Sequence, residues 1–169
     1  LVNCFTPGDT RKEMITYVRA ENKAYLMTKF LDTKNVSFNQ VGNDQILLRY
    51  ADVLLMYAEA LNELGYDASE GSIALKQLNA TRTRAGLTKL TAADVPTQES
   101  FRKAILDERQ KEFPYEGHRW FDLVRMGYAK SVLATQGLNI QDYQLLFPIP
   151  QTEIEKVGDS KILWQNPGY

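Results

Sequence analysis

Between Gln45 and Leu64 the polar side chains Gln45, Arg49, Asp52, Glu59 and Glu63 fall on one narrow stripe, which only Met56 interrupts. Nearly everything else there is apolar: Ile46, Leu47, Leu48, Tyr50, Val53, Leu54, Leu55, Tyr57, Ala58, Ala60 and Leu61. That spacing is helical, and a helix with so wide an apolar arc is covered by neighbours on two or more sides. The segment therefore commits the chain to a packed body of several helices. Asn43 or Asp44 is placed to cap the start and Gly65 to stop the end.

The remaining punctuation supplies the neighbours. A second helix is expected from about Glu70 to Arg84, with Ala74, Leu75 and Leu78 at three- and four-residue spacings and Gly86 as its end. A third starts after Thr97 and runs to about Phe113, where Pro114 stops it. A fourth spans about His118 to Met126 with Trp120 and Phe121 in its core face, and a short fifth about Ala129 to Thr135. Pro148 and Pro150 make residues 145–150 extended. Residues 152–157 suit one or two helical turns, and 164–169 an irregular tail. Before residue 44 no helical period is sustained: 23–31 suits a strand or a short helix, and 32–43 a polar loop. Short connections and small residues at the crossings make antiparallel hairpins. Ala58, Leu61, Asn62 and Gly65, followed by Ala74, Leu78 and Asn79, resemble one tetratricopeptide-like unit. The expected fold is all-α, with tetratricopeptide-like hairpins and long irregular loops. It divides into an irregular lead-in (1–43), a helical core (44–127) and a tail region of short helices and extended chain (128–169).

Composition removes several kinds of chemistry. One cysteine, Cys4, allows no internal disulfide and no cysteine-based zinc cluster, and one histidine, His118, allows no His–His metal motif. The net charge of −1 argues against a whole-chain basic surface for nucleic acid. No run of about 18 apolar residues is present. The glycines from Gly65 to Gly137 mostly sit where helices end and form no phosphate-cradling loop, and His118 has no GxSxG-type nucleophile to serve. No catalytic residue, metal ligand or cofactor is assigned. Ahead of Cys4 there is no apolar stretch of the lipoprotein-signal kind, so its thiol is read as inert.

The densest polar cluster comprises Glu108, Arg109, Glu112, Arg119, Asp122 and Arg125. Glu108 and Glu112 are four apart on one helical face, a spacing compatible with a pair of glycosidase carboxylates. Basic neighbours at Arg109, Lys111, Arg119 and Arg125 lower carboxyl pKa values, which suits ion pairing better than proton donation. The cluster is therefore read as structural, fixing the third helix against the fourth. Two Trp, nine Tyr and seven Phe offer flat faces for sugar rings. Among those in expected loops or ends, Tyr25, Tyr66 and Trp164 are the ligand-contact candidates.

Several blocks carry a family resemblance. Residues 48–63 (LRYADVLLMYAEALNE), 78–86 (LNATRTRAG), 107–113 (DERQKEF), 116–127 (EGHRWFDLVRMG), 147–151 (FPIPQ) and 165–169 (QNPGY) occur in this order. Gly8-Asp9-Thr10-Arg11 and residues 25–30 precede them. Together they resemble the SusD/RagB family over nearly the whole chain. The resemblance implies the C-terminal portion of a longer, non-catalytic protein on the outer face of the outer membrane. Its lipid anchor would lie outside this chain. It also implies capture of oligosaccharides, or of peptides in some members, for import by a SusC-like TonB-dependent transporter. A tetratricopeptide-like module that grips a protein segment is the alternative, and a glycosidase using Glu108 and Glu112 is a third reading.

Overall fold

A computed structural model of the chain describes residues 2–14, 17–19, 24–26, 28–30, 32, 42–44, 46–67 and 69–169. Its first long helix, α1, spans Tyr50–Leu64, six residues later than the expected cap at Asp44. Residues 46–49 are not helical, and Arg49 holds extended backbone (φ −144°, ψ 163°). The cause is tertiary: the Arg49 side chain is drawn to Glu112 and Glu116, 63 and 67 positions away. Those bonds outweigh the local helical preference of the apolar run. At the other end Gly65 stops the helix as expected, its N–H donating to the Leu61 carbonyl at 3.1 Å.

Helix α2, Ile73–Arg84, begins where the Ser72 hydroxyl accepts from the Leu75 N–H at 3.4 Å. Helix α3, Gln98–Glu112, opens on a reciprocal cap: Thr97 Oγ1 accepts from the Ser100 N–H at 3.1 Å, and Ser100 Oγ accepts from the Thr97 N–H at 2.9 Å. Each cap satisfies a helix-end donor that has no partner within the helix. The α2–α3 connection is held by Asn79, whose side-chain amide exchanges two 2.8 Å hydrogen bonds with the backbone of Leu90. A side chain here does the work of a strand partner.

Helix α1 packs against both α2 and α3. Leu55 and Ala58 from α1, Leu75 and Leu78 from α2, and Phe101 and Ile105 from α3 form the buried core. Each large apolar side chain buried there contributes about 1.5–3 kcal/mol. Of the polar stripe of residues 45–64, Asp52 is turned inward, 4% exposed and bound to Arg109, whereas Glu59 is half-buried and Glu63 exposed; Asn62, outside the stripe, is buried. The opposite stripe, Tyr50, Val53, Tyr57 and Leu64, is exposed. The α1–α2 pair is the tetratricopeptide-like hairpin, and among the described residues the regular elements are helical apart from a short strand pairing. There β1 (Tyr17–Arg19) lies antiparallel to β2 (Ala24–Leu26), with Val18 opposite Tyr25. Within the 23–31 run, Ala24–Leu26 thus takes the strand form. Of the expected 32–43 loop, residues 33–41 lie outside the described residues.

The chain separates into two compact units, 1–119 and 120–169. In the second, α4 (Arg119–Arg125, whose first residue belongs to the first unit) is followed by α5 (Ala129–Ala134) and α6 (Gln151–Val157). Of the expected extended segment 145–150, residues 146–150 are extended, as the two prolines require, whereas Leu145 ends a 3-10 turn, Asp142–Leu145. The tail supplies their hydrogen bonds. Gln165 exchanges two 2.8 Å bonds with the Ile149 backbone, Asn166 Nδ2 donates to the Phe147 carbonyl and Tyr169 Oη to that of Leu146. Phe121, expected in the core, is 59% exposed, its ring 6.4 Å from that of Phe147, also exposed. On α4 the buried positions are Asp122 and Leu123, so the buried face is rotated from the one the aromatic pair suggested.

Candidate functional site

Glu108 and Glu112 do lie on one face of α3, and both are buried; Glu108 is 1% exposed. Arg11, on the short 3-10 turn Thr10–Met14, reaches them together. Its Nη1 donates to Glu108 Oε1 at 2.6 Å and to Glu112 Oε2 at 2.9 Å. Its remaining donors go to Asp9: Nε to Oδ1 and Nη2 to Oδ2, each at 2.8 Å. The close approach of this segment to α2 depends on Gly86. At φ +79° it occupies the left-handed region, and a Cβ there would stand 3.0 Å from the Gly8 carbonyl oxygen. Thr10 anchors the same junction, its N–H donating to the Ala85 carbonyl at 3.0 Å.

Other cations arrive from the residue that precedes α1, from α2 and from the N-terminal region. Arg49 Nη1 donates to Glu112 Oε1, and its Nε to Glu116 Oε2 at 2.9 Å. Arg82 stands 3.5 Å from Glu108 Oε2, Arg84 pairs with Glu112, and Lys29 pairs with Glu116. The guanidinium carbons of Arg49 and Arg109 lie 4.5 and 4.9 Å from the centroid of the buried Phe113 ring. That is the range of cation–π attraction, and it holds both arginine planes in place. Arg109 itself donates to Asp52 Oδ1 at 2.6 Å.

The electrostatics follow from these contacts. Burial alone would raise the Asp9 carboxyl, but the hydrogen bonds and charge of Arg11 outweigh it and hold it below its ordinary value. Glu116 is likewise held low, burial being overcome by hydrogen bonds from Arg49 and Lys29. Burial lowers Lys29, which Arg49 reinforces, although Glu116 opposes it. Beside the cluster opens a cavity of about 310 Å³, lined by Arg11, Lys29, Arg49, Arg84, Lys111 and Glu112, with Met14, Ile46 and Pro114 as its apolar wall.

The six residues singled out in sequence are thus distributed as follows. Glu108 and Glu112 share Arg11; Arg109 is on Asp52; Arg119 Nη1 donates to the Leu106 carbonyl at 3.0 Å; Asp122 and Arg125 pair at 2.8 Å within α4. The arginines on Glu108 and Glu112 come from residues 11, 49, 82 and 84 rather than from the sequence-adjacent basic residues. Sequence reading missed that set, although Arg49 and Asp52 in the polar stripe of residues 45–64 and Arg11 in the Gly8–Arg11 block carried a signal. A glycoside bond has no path to Glu108, whose side chain is enclosed.

Of the aromatic candidates, Tyr66 is half-buried: its hydroxyl donates to the Val95 carbonyl and its ring lies 6.2 Å from Phe101. Trp164 is 62% exposed. The Tyr25 side chain lies outside the described residues. Cys4 is a half-buried free thiol that burial pushes up. His118 packs its ring 4.9 Å from that of Phe113. Among the described residues no group of three or more His, Cys, Asp and Glu is arranged to hold a metal ion, and no helix is long and apolar enough to cross a membrane.

The chain is similar to the SusD-like protein P2 of Formosa agariphila, 36% identical over 140 residues, 76% of this chain and 26% of that protein. It is 31% identical to the starch-binding protein SusD of Bacteroides thetaiotaomicron over 147 residues, 82% of this chain and 24% of that protein. The chain thus spans about a quarter of the length of these relatives. Its fold is similar to that of surface glycan-binding protein A from Bacteroides thetaiotaomicron in complex with laminarihexaose. There the TM-score is 0.68 at 26% identity, covering 98% of this chain and 39% of that one. The SusD family model matches residues 12–169, and the chain belongs to the SusD family.

Proposed function

We propose that this chain is the helical scaffold part of a protein that captures oligosaccharides at the bacterial surface, without catalysis. We further propose that it passes them to a SusC-like TonB-dependent transporter, the protein being held to the outer membrane by a lipid anchor outside this chain. The observation that carries the reading is the shared fold with a neighbour in complex with laminarihexaose, over 98% of this chain. The structure supports a scaffold role in a specific way. Ion pairs between residues far apart in sequence tie the N-terminal turn, α1, α2 and α3 into one body, which holds attached loops at fixed positions.

The glycosidase reading lacks an accessible acid, since Glu108 is enclosed and both carboxylates are occupied by arginines. Trp164 is the retained candidate for sugar stacking, its ring being largely open. The open stripe of α1 favours one addition: this face meets protein, whether within the longer chain or in a peptide-gripping role. Titration calorimetry of the intact protein against neutral oligosaccharides and peptides tests the reading. Saturable glycan binding without turnover is expected. Binding of peptides alone would transfer the role to the tetratricopeptide-like alternative.

A further inference from the structure

The charge cluster of the first unit is unbalanced. Its carboxylates are four: Asp9, Glu108, Glu112 and Glu116. Five cations pair with them (Arg11, Lys29, Arg49, Arg82 and Arg84), and Lys111 is a sixth alongside. Among the described residues two positive charges are thus left over, in a region where partial burial has removed some of the water that would offset them.

The surplus is located on the cavity. Lys111, in the last turn of α3, is 9% exposed and lines it, yet has no hydrogen bond or ion pair among the described residues. The nearby Asp9 attracts it through space, but both Asp9 oxygens already accept from Arg11. Arg84 gives one nitrogen to Glu112, and its side chain is 57% exposed, so it has donors to spare at the rim. Glu112 also lines the cavity, but Arg11, Arg49 and Arg84 all pair with it, so it offers little repulsion to an incoming anion. A lysine with no protein partner, lining the same cavity as a guanidinium with donors to spare, matches a carboxylate or similar oxyanion, for which charge-assisted hydrogen bonds are strong and directional. The apolar wall of Met14, Ile46 and Pro114 accommodates a small carbon frame carrying that group.

We propose that this cavity binds a single oxyanion through Lys111 and Arg84. The oxyanion is either the carboxylate of an acidic sugar or a free inorganic ion. The proposal stands on the cluster's charge and geometry, so it holds or fails separately from capture of neutral oligosaccharides. The test is calorimetry on the intact protein at constant ionic strength, with galacturonate, sulfate and uncharged galactose as probes. At least one anion is expected to saturate the site while galactose does not. Lys111→Met, which keeps the packed stem, is expected to weaken that anion about tenfold or more. Should Lys111→Met fail to fold, Arg84→Gln, at a largely exposed side chain, carries the same expectation. Tighter binding of galacturonate than sulfate assigns an acidic sugar; equal or tighter sulfate assigns an inorganic ion. Absence of saturation by both anions, equal binding of galactose, or wild-type affinity in whichever variants fold would overturn the proposal.

Discussion

Arg11 and Glu108, 97 positions apart, meet at 2.6 Å with side chains 7% and 0% exposed. The contact joins the N-terminal segment to the middle of α3, and Glu112 shares the same nitrogen. Removing one partner leaves the other charged, buried and incompletely paired. Arg11→Met is therefore expected to cost about 3–5 kcal/mol. Urea denaturation of the intact protein measures it, and a loss below about 1 kcal/mol would show that the contact is energetically idle. Arg11→Met combined with Glu108→Gln should recover part of the loss, because the stranded carboxylate is gone.

Gly86 makes a second prediction at the same junction. Alanine there meets both a left-handed backbone and the Gly8 carbonyl at 3.0 Å. Gly86→Ala is expected to destabilise by about 1–3 kcal/mol. Because the clash falls on the N-terminal segment, hydrogen exchange should speed at the amides of Thr10 and Lys12 before it speeds in α3. Uniform acceleration across unit 1 would contradict a local cause.

What local pattern settles and what it leaves open can be seen residue by residue. Thr97, Gly65 and Pro114 act on their own helix ends, through hydrogen bonds or ring sterics a few residues long, so their roles were legible. The start of α1 was not, because Arg49 is held extended by carboxylates more than sixty positions away. Phe121 follows the same logic: α4 is short, and its buried face follows Asp122 and Leu123 rather than the aromatic pair. For the site, the pair Glu108 and Glu112 was visible as a four-residue spacing. Their arginines were not, since no periodicity links residues 11, 49, 82 and 84. Tyr66 looked like a loop aromatic until its bond to Val95 gave it a structural role.

Stability should depend on pH in the acid range. Asp9 and Glu116 are both held below their ordinary values in the folded chain. Protons therefore bind the unfolded chain first as pH falls. The stability these groups contribute is full above the unfolded values, near pH 4–4.5, and is lost progressively as pH drops through the lower folded values. Urea midpoints at pH 7, 5, 4 and 3 should hold to about pH 5 and decline below it. In Glu116→Gln the decline should be shallower; an unchanged slope would show that Glu116 does not contribute to it.

We have proposed that the chain is part of a glycan-capturing protein rather than of an enzyme or a peptide binder. The most direct test is calorimetric titration of the intact protein with neutral oligosaccharides, including laminarin and starch fragments, with product analysis of the same samples. Saturable binding of at least one glycan is expected, with the sugar recovered uncleaved. A well-folded protein that binds none of them, or that returns cleaved sugar, would contradict the proposal.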